Sequence, residues 1–137
     1  MNTRLALVMH EPLGSAFLDC AQHVLGRQPD LKVFDIVPDA DPQAETDRIL
    51  DWVRAGRREE PILILCDLYG ATPFNIAAQA LRQALDDGYI IHLLTGTNAC
   101  MVLKALTDQQ ENPESLSERV RQGALRGIVN AEPPPDC

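Results

Sequence analysis

Four short apolar runs, Leu5 to Met9, Val33 to Val37, Ile62 to Cys66 and Ile90 to Leu94, recur along the chain without the polar alternation of a one-sided sheet. Strands of that kind must be covered on both faces, so the fold is restricted to a parallel sheet between two layers of helices. The segments between the runs have the period this requires. Leu13, Ala16, Phe17, Cys20, Ala21, Val24 and Leu25 recur at helical spacing, and Gly26 supplies a stop signal. Asp41-Pro42 predicts an N-cap and first helical residue, with Ile49, Leu50 and Val53 as the apolar face and Gly56 as the end.

Thr72-Pro73 repeats that start ahead of Phe74, Ala77, Ala78, Leu81 and Leu85, and Asp87-Gly88 turns the chain into the fourth run. Asn98 caps a short helix through Leu106. Pro113 to Leu125 reads as a weaker amphipathic helix on Leu116, Val120 and Ala124. The expected architecture is one doubly wound α/β domain with helices on both faces and right-handed crossovers.

A chain of 137 residues that is 45% hydrophobic fills one core and falls short of two. Residues 1–131 are read as the domain. The Pro-rich residues 132–137 can bury little and read as a disordered tail. With 20 acidic residues against 12 basic ones and 4% aromatics, the chain offers no basic stripe or stacking platform, which argues against nucleic-acid binding. No run approaches the roughly 20 apolar residues of a membrane helix, and no signal peptide precedes the first strand, so a cytoplasmic location without membrane insertion is expected. Cys20, Cys66, Cys100 and Cys137 form no C-x-x-C or Cys/His pattern, so neither zinc nor a disulfide framework is indicated. The first three are read as small core residues.

If the second strand lies outside the first and the third on its other side, the strand order reverses between strands one and three, opening a crevice at their C-terminal ends. His10 stands at one of those ends and Asp67 at the other. A carboxylate bonded to one ring nitrogen fixes the imidazole tautomer and leaves the other nitrogen free as a nucleophile. Either residue could instead be an ordinary loop cap. The segment that follows favours the chemical reading: Gly70 permits an unusual loop, and Thr72 before Pro73 sets a hydroxyl and unpaired N–H groups at a helix start, a ready anion site. In that arrangement Asp67 accepts from Nδ1 of His10, and Nε2 attacks phosphorus in line while Thr72 and nearby amides hold the phosphoryl oxygens.

His10, the stretch Asp67-Leu68-Tyr69-Gly70-Ala71-Thr72-Pro73-Phe74-Asn75 and the loop Thr95-Gly96-Thr97-Asn98 together resemble the mannose-type IIA component of the bacterial phosphoenolpyruvate:sugar phosphotransferase system. The likeness spans residues 1 to about 130 in element order. It implies a phosphotransferase without cofactor or metal, phosphorylated on His10 by the histidine-containing phosphocarrier protein. The group then passes to a IIB partner or serves as a regulatory signal. It further implies a sheet of order 2-1-3-4 with a short antiparallel edge strand from Gly127 to Asn130, exchanged across a homodimer. Asp67 would support the histidine, Gly70, Ala71 and Thr72 would contact the phosphoryl group, and Glu11, Tyr69, Asn75 and Asn98 would stand at the rim.

Two positions depart from the family pattern: Glu11 stands where many members have glycine, and Ala71 is the second loop residue. Pro12 restricts Glu11 to extended geometry, and an outward side chain is expected. Three other readings compete. A receiver domain would need paired acids after strand one and a well-placed lysine, which Met9-His10-Glu11, Lys32 and Lys104 do not supply. A ligand-binding module without chemistry would use the same crevice, yet the chain has neither G-x-G-x-x-G nor a Walker lysine. The phosphoryl-donor subunit of a dihydroxyacetone kinase shares the fold and the histidine but usually lacks the Thr-Pro-Phe-Asn start. His23 falls on a polar helix side, and His92, inside the fourth run, reads as a satisfied core imidazole.

Overall fold

The computed structural model describes residues 2–110 and 112–133. Its elements follow in order as β1 (Arg4–His10), α1 (Leu13–Leu25), β2 (Lys32–Ile36), α2 (Pro42–Ala55), β3 (Ile62–Cys66), α3 (Thr72–Asp86), β4 (Ile91–Leu94), α4 (Ala99–Thr107) and α5 (Pro113–Arg126). The strands form one parallel sheet of order β2-β1-β3-β4. Val8 of β1 is in register with Phe34 on one side and Cys66 on the other.

Residue parity divides the sheet between its two layers. Ala6, Val8, Phe34, Ile36, Ile62, Ile64 and Cys66 face α2 and α3, where Ile49, Leu50, Val53, Ile76, Ala77 and Ala80 meet them. Leu5, Leu7, Met9, Leu63 and Leu65 face the other way, onto Ala21, Met101, Val102, Ala105, Leu106, Leu116 and Val120. Each fully buried Leu or Ile contributes about 1.5–3 kcal/mol, which is why the strands carry no polar alternation.

The helix boundaries follow local chemistry. Gly26 closes α1 in the left-handed conformation at φ 68°, and Asp41 caps α2 by accepting from Gln43 N–H at 3.3 Å. Arg4 reaches across from β1 to donate to the carbonyls of Trp52 and Val53, and its guanidinium lies 4.2 Å from the half-buried Trp52 ring. These contacts satisfy carbonyls at the C-terminal end of α2, where a cation is also favoured by the helix dipole.

Several sequence expectations are corrected. Within the single chain, Gly127 caps α5 and Ile128 to Asn130 are exposed and unpaired with β4, so of the edge strand expected from Gly127 to Asn130 across a homodimer, Gly127 falls to the helix end and no pairing is shown among the described residues. So short a segment offers a single chain few ladder bonds against the entropy of ordering it. Cys66 is buried, but Cys20 and Cys100 are exposed. The face of α1 is narrower than its apolar pattern, with Ala21 buried while Leu13 and Val24 are open, because α1 packs on β1, β2 and α4 at the outer margin of its layer. His92 is half-buried, since β4 is the edge strand of the sheet. In α3 the deepest positions are Ile76, Ala77, Ala80 and Ala84, with Leu85 turned out. Cys137 and the rest of residues 134–137 lie outside the described residues.

Candidate active site

Because β2 and β3 lie on opposite sides of β1, the chain opens a crevice at the C-terminal ends of β1 and β3. His10 is the last residue of β1, and Asp67 is the first residue after β3. Asp67 is buried. Its Oδ2 lies 2.7 Å from Nδ1 of His10 and accepts the His10 backbone N–H at 2.9 Å, while Oδ1 accepts the N–H of Leu68 at 2.9 Å. A carboxylate only accepts, so Nδ1 carries the proton and Nε2 keeps its lone pair. Burial alone would raise the pKa of Asp67. The bonds from the His10 backbone, the His10 ring and Leu68 outweigh it and hold the carboxyl below its ordinary value.

The His10 side chain is 43% exposed against 6% for Asp67, so the pair has a buried anchor and an open end. That end faces a shallow cleft of about 230 Å³ lined by His10, Glu11, Ile36, Val37, Pro38, Thr72 and Pro73. Cys66 offers no competing nucleophile, because burial, and after it the charge of Asp67, pushes its thiol up to about 12.

The far wall is the start of α3. Gly70 takes a positive φ of 80°, which only glycine adopts freely, and Ala71 is extended at the N-cap without a side-chain capping bond. Thr72 was expected at the N-cap and is instead the first helical residue. Proline disfavours helical angles in the residue before it but tolerates them at the cost of some strain, and the extended Ala71 takes the cap. The Thr72 hydroxyl therefore makes no capping bond, and the N–H groups of Thr72 and Phe74 precede the first intrahelical bond, which Asn75 N–H donates to Ala71 at 3.0 Å. A hydroxyl and two open amides beside an imidazole can receive a tetrahedral anion.

The remaining expected rim residues divide. Glu11 is exposed and lines the same cleft as His10, and its N–H donates to the Ile36 carbonyl at 3.0 Å. Tyr69 is 79% exposed, with its ring 4.9 Å from that of Phe74. Asn75 is exposed and lines an adjoining groove between α2 and α3 that also contains Thr72. Asn98 caps α4, as its place before the helix predicts: Oδ1 accepts from Met101 N–H and Nδ2 donates to the Ala124 carbonyl, both at 2.9 Å, which also ties α4 to α5.

Three residues near the crevice had no individual role assigned from sequence, although Gly96 and Thr97 belong to the loop that carries the resemblance. Thr97 donates through N–H and Oγ1 to the Cys66 carbonyl, at 3.2 and 2.7 Å, and Gly96 N–H donates to the Asp67 carbonyl at 3.1 Å. The loop after β4 thereby fixes the end of β3 from which Asp67 projects. Asp35 bonds the first turn of α1; a lone acid inside an apolar run was the available signal. Among the described residues no cluster of three or more His, Cys, Asp or Glu could hold a metal ion, and no helix is long and apolar enough to cross a membrane.

A family model described as the PTS system fructose IIA component matches residues 4–121. Among solved structures, the phosphotransferase system component EIIA from Streptococcus agalactiae is similar at a TM-score of 0.83 and 21% identity, covering 95% of this chain and 98% of that one. The mannose/sorbose specific IIA subunit from Enterococcus faecalis is similar at a TM-score of 0.83 and 21% identity, with 95% of each chain covered. The PTS IIA protein associated with the fucose utilization operon of Streptococcus pneumoniae is similar at 0.75 and 17%, covering 96% of this chain and 95% of that one. At these identities the structural likeness speaks for the fold. No curated protein matches the chain.

Proposed function

Since the chain belongs to the family of fructose-type IIA components of the phosphotransferase system, we propose that it is a phosphoryl carrier whose carrying atom is Nε2 of His10. The observation that carries this reading is the 2.7 Å bond between His10 Nδ1 and the buried Asp67 carboxylate, which leaves Nε2 at the open cleft.

In the loading step, the Nε2 lone pair attacks the phosphorus of a phosphohistidine on the donor, the histidine-containing phosphocarrier protein. The new N–P bond forms as the donor's breaks, and the donor ring leaves with its electron pair. Nδ1 keeps its proton throughout, and the Asp67 carboxylate stabilises the ring as it gains the phosphoryl substituent. Charge spread over the equatorial oxygens is met by the Thr72 hydroxyl and the open amides of Thr72 and Phe74, with Gly70 and Ala71 shaping the loop. The reverse displacement delivers the group to a IIB protein or to a regulatory target.

Residues 1–131 act in this reading as one cytoplasmic domain. It pairs with a second copy, with Ile128 to Asn130 of each chain set against the open edge of the other's β4. Exposed Ile128 and Val129 supply apolar contacts for that pairing.

The test is transfer from phosphoenolpyruvate through enzyme I and the phosphocarrier protein to the wild type and to His10→Ala. Acid-labile, base-stable label on the wild type alone supports the reading. An unlabelled wild type, with partners shown to be active, overturns it.

A further inference from the structure

Among the residues that line the cleft at His10, Glu11 is the one formally charged neighbour of the imidazole. Its place is held from both sides. It follows the last residue of β1, its N–H donates to the Ile36 carbonyl at 3.0 Å, and Pro12 after it is the N-cap of α1. Its side chain is exposed, and it takes part in none of the ion pairs among the described residues.

The surroundings supply no cation to balance it. The four loops at the C-terminal ends of the strands, residues 11–12, 37–41, 67–71 and 95–98, contain no Lys or Arg. The loops at the opposite end of the sheet do, with Arg27 after α1 and Arg57 and Arg58 after α2. A phosphoryl group brings about −1.5 to −2 charges. Thr72 and the first amides of α3 meet it with neutral donors, and Glu11 adds a negative charge that by itself opposes it. Phosphoryl transfer gains most from a cation beside the moving group, and that cation can come from a docked protein. An acid at this position is favourable when such a cation lies between it and the phosphoryl group.

We propose that Glu11 selects the partner: its carboxylate seats a Lys or Arg side chain of the docked phosphoryl donor, which then stands beside the group in transit and supplies the positive charge the cleft lacks. A protein that presents an acidic or apolar side chain there is selected against, because Glu11 and the phosphoryl group then face each other unshielded. This inference rests on the phosphohistidine reading above.

The experiment loads the wild type, Glu11→Gln and Glu11→Lys from two donors in the presence of EDTA. One is the histidine-containing phosphocarrier protein, phosphorylated beforehand and freed of enzyme I. The other is potassium phosphoramidate, an anion with no cationic side chain. With the protein donor, Glu11→Gln is expected to lose about 3- to 10-fold in kcat/KM, carried by KM, and Glu11→Lys more. That contrast shrinks as ionic strength rises from about 0.05 to 0.5 M. With phosphoramidate the order reverses, and both variants load faster than the wild type by about twofold or more, since the charge opposing an anion is gone. A side chain that only shaped the turn would move both donors in one direction.

Glu11→Gln as efficient as the wild type with the protein donor overturns the inference, as does an equal change with both donors or loading that requires added Mg²⁺. A wild type labelled by phosphoramidate and not by an active phosphocarrier protein keeps the phosphohistidine and overturns the inference. One labelled by the protein alone leaves the KM and salt pattern to decide. A wild type labelled by neither overturns the phosphohistidine reading, and the inference with it.

Discussion

Oδ2 of Asp67 bonds His10 twice, at 2.7 Å to the ring Nδ1 and at 2.9 Å to the backbone N–H. One oxygen therefore fixes the tautomer of the imidazole and also the strand end from which it projects. The second oxygen, bonded to Leu68 N–H, keeps the carboxylate from rotating away.

Asp67→Asn removes the charge and one acceptor while keeping the shape. It is expected to lower the rate of phosphoryl transfer to His10 by about 10² to 10⁴, the range for loss of a tautomer-fixing or acid–base group. Asp67→Ala leaves three N–H donors without a partner and is expected to destabilise by about 2–4 kcal/mol. Rapid-quench labelling and urea unfolding measure the two effects separately. Transfer by Asp67→Asn at the wild-type rate would remove the carboxylate from the mechanism.

The acid limb of stability carries a sign. The Asp67 carboxyl lies below its ordinary value because bonds from His10 and Leu68 outweigh burial. Its contribution is complete above the unfolded carboxylate value of about 3.9 and is lost as pH falls through the lower folded value. The stability difference between the wild type and Asp67→Asn, read from urea midpoints between pH 7 and 2, should therefore hold near neutrality and narrow below about pH 4. Asp108, lowered where Lys104 and Arg119 outweigh burial, is common to both proteins and cancels in the difference. A difference constant to pH 2 would contradict the assignment.

Thr72→Val separates an anion ligand from a helix cap. The hydroxyl makes no capping bond, so stability should change by no more than about 0.5 kcal/mol. Phosphoryl transfer should fall by about 10- to 100-fold, as for loss of one exposed oxyanion donor. A fall in stability of about 1 kcal/mol with unchanged transfer would return Thr72 to a capping role.

Asn98→Ala is the converse case. It deletes the bonds to Met101 N–H and the Ala124 carbonyl, for an expected loss of about 2 kcal/mol. Transfer to His10, measured per folded molecule, should stay within about twofold of the wild type, the reach of small indirect changes at a site. A tenfold loss would place Asn98 at the rim after all.

The fold was legible because its strands are buried on both faces and its helices carry caps in their own sequence. Asp41-Pro42, Gly26 and Asn98 act where they were expected. Expectations failed where burial depends on what lies beyond a helix. Leu13, Val24 and Leu85 are apolar yet exposed, while Ala80 and Ala84, outside the expected face, are buried beside the expected Ala77, since small residues let α3 lie close to the sheet. The capping of α1 was not legible either, because its cap is Asp35 on a strand 21 residues from Gly14.

The sequence by itself determined the element order and the pairing of His10 with Asp67, since both residues end apolar runs and the parallel sheet brings those ends together. Only the tertiary structure decided which helix terminus stays open. A strand end is a local property, readable from where an apolar run stops. An open amide is a property of what another segment fails to cover, and here a carboxylate from β2 covers α1 while nothing bonds the first amides of α3.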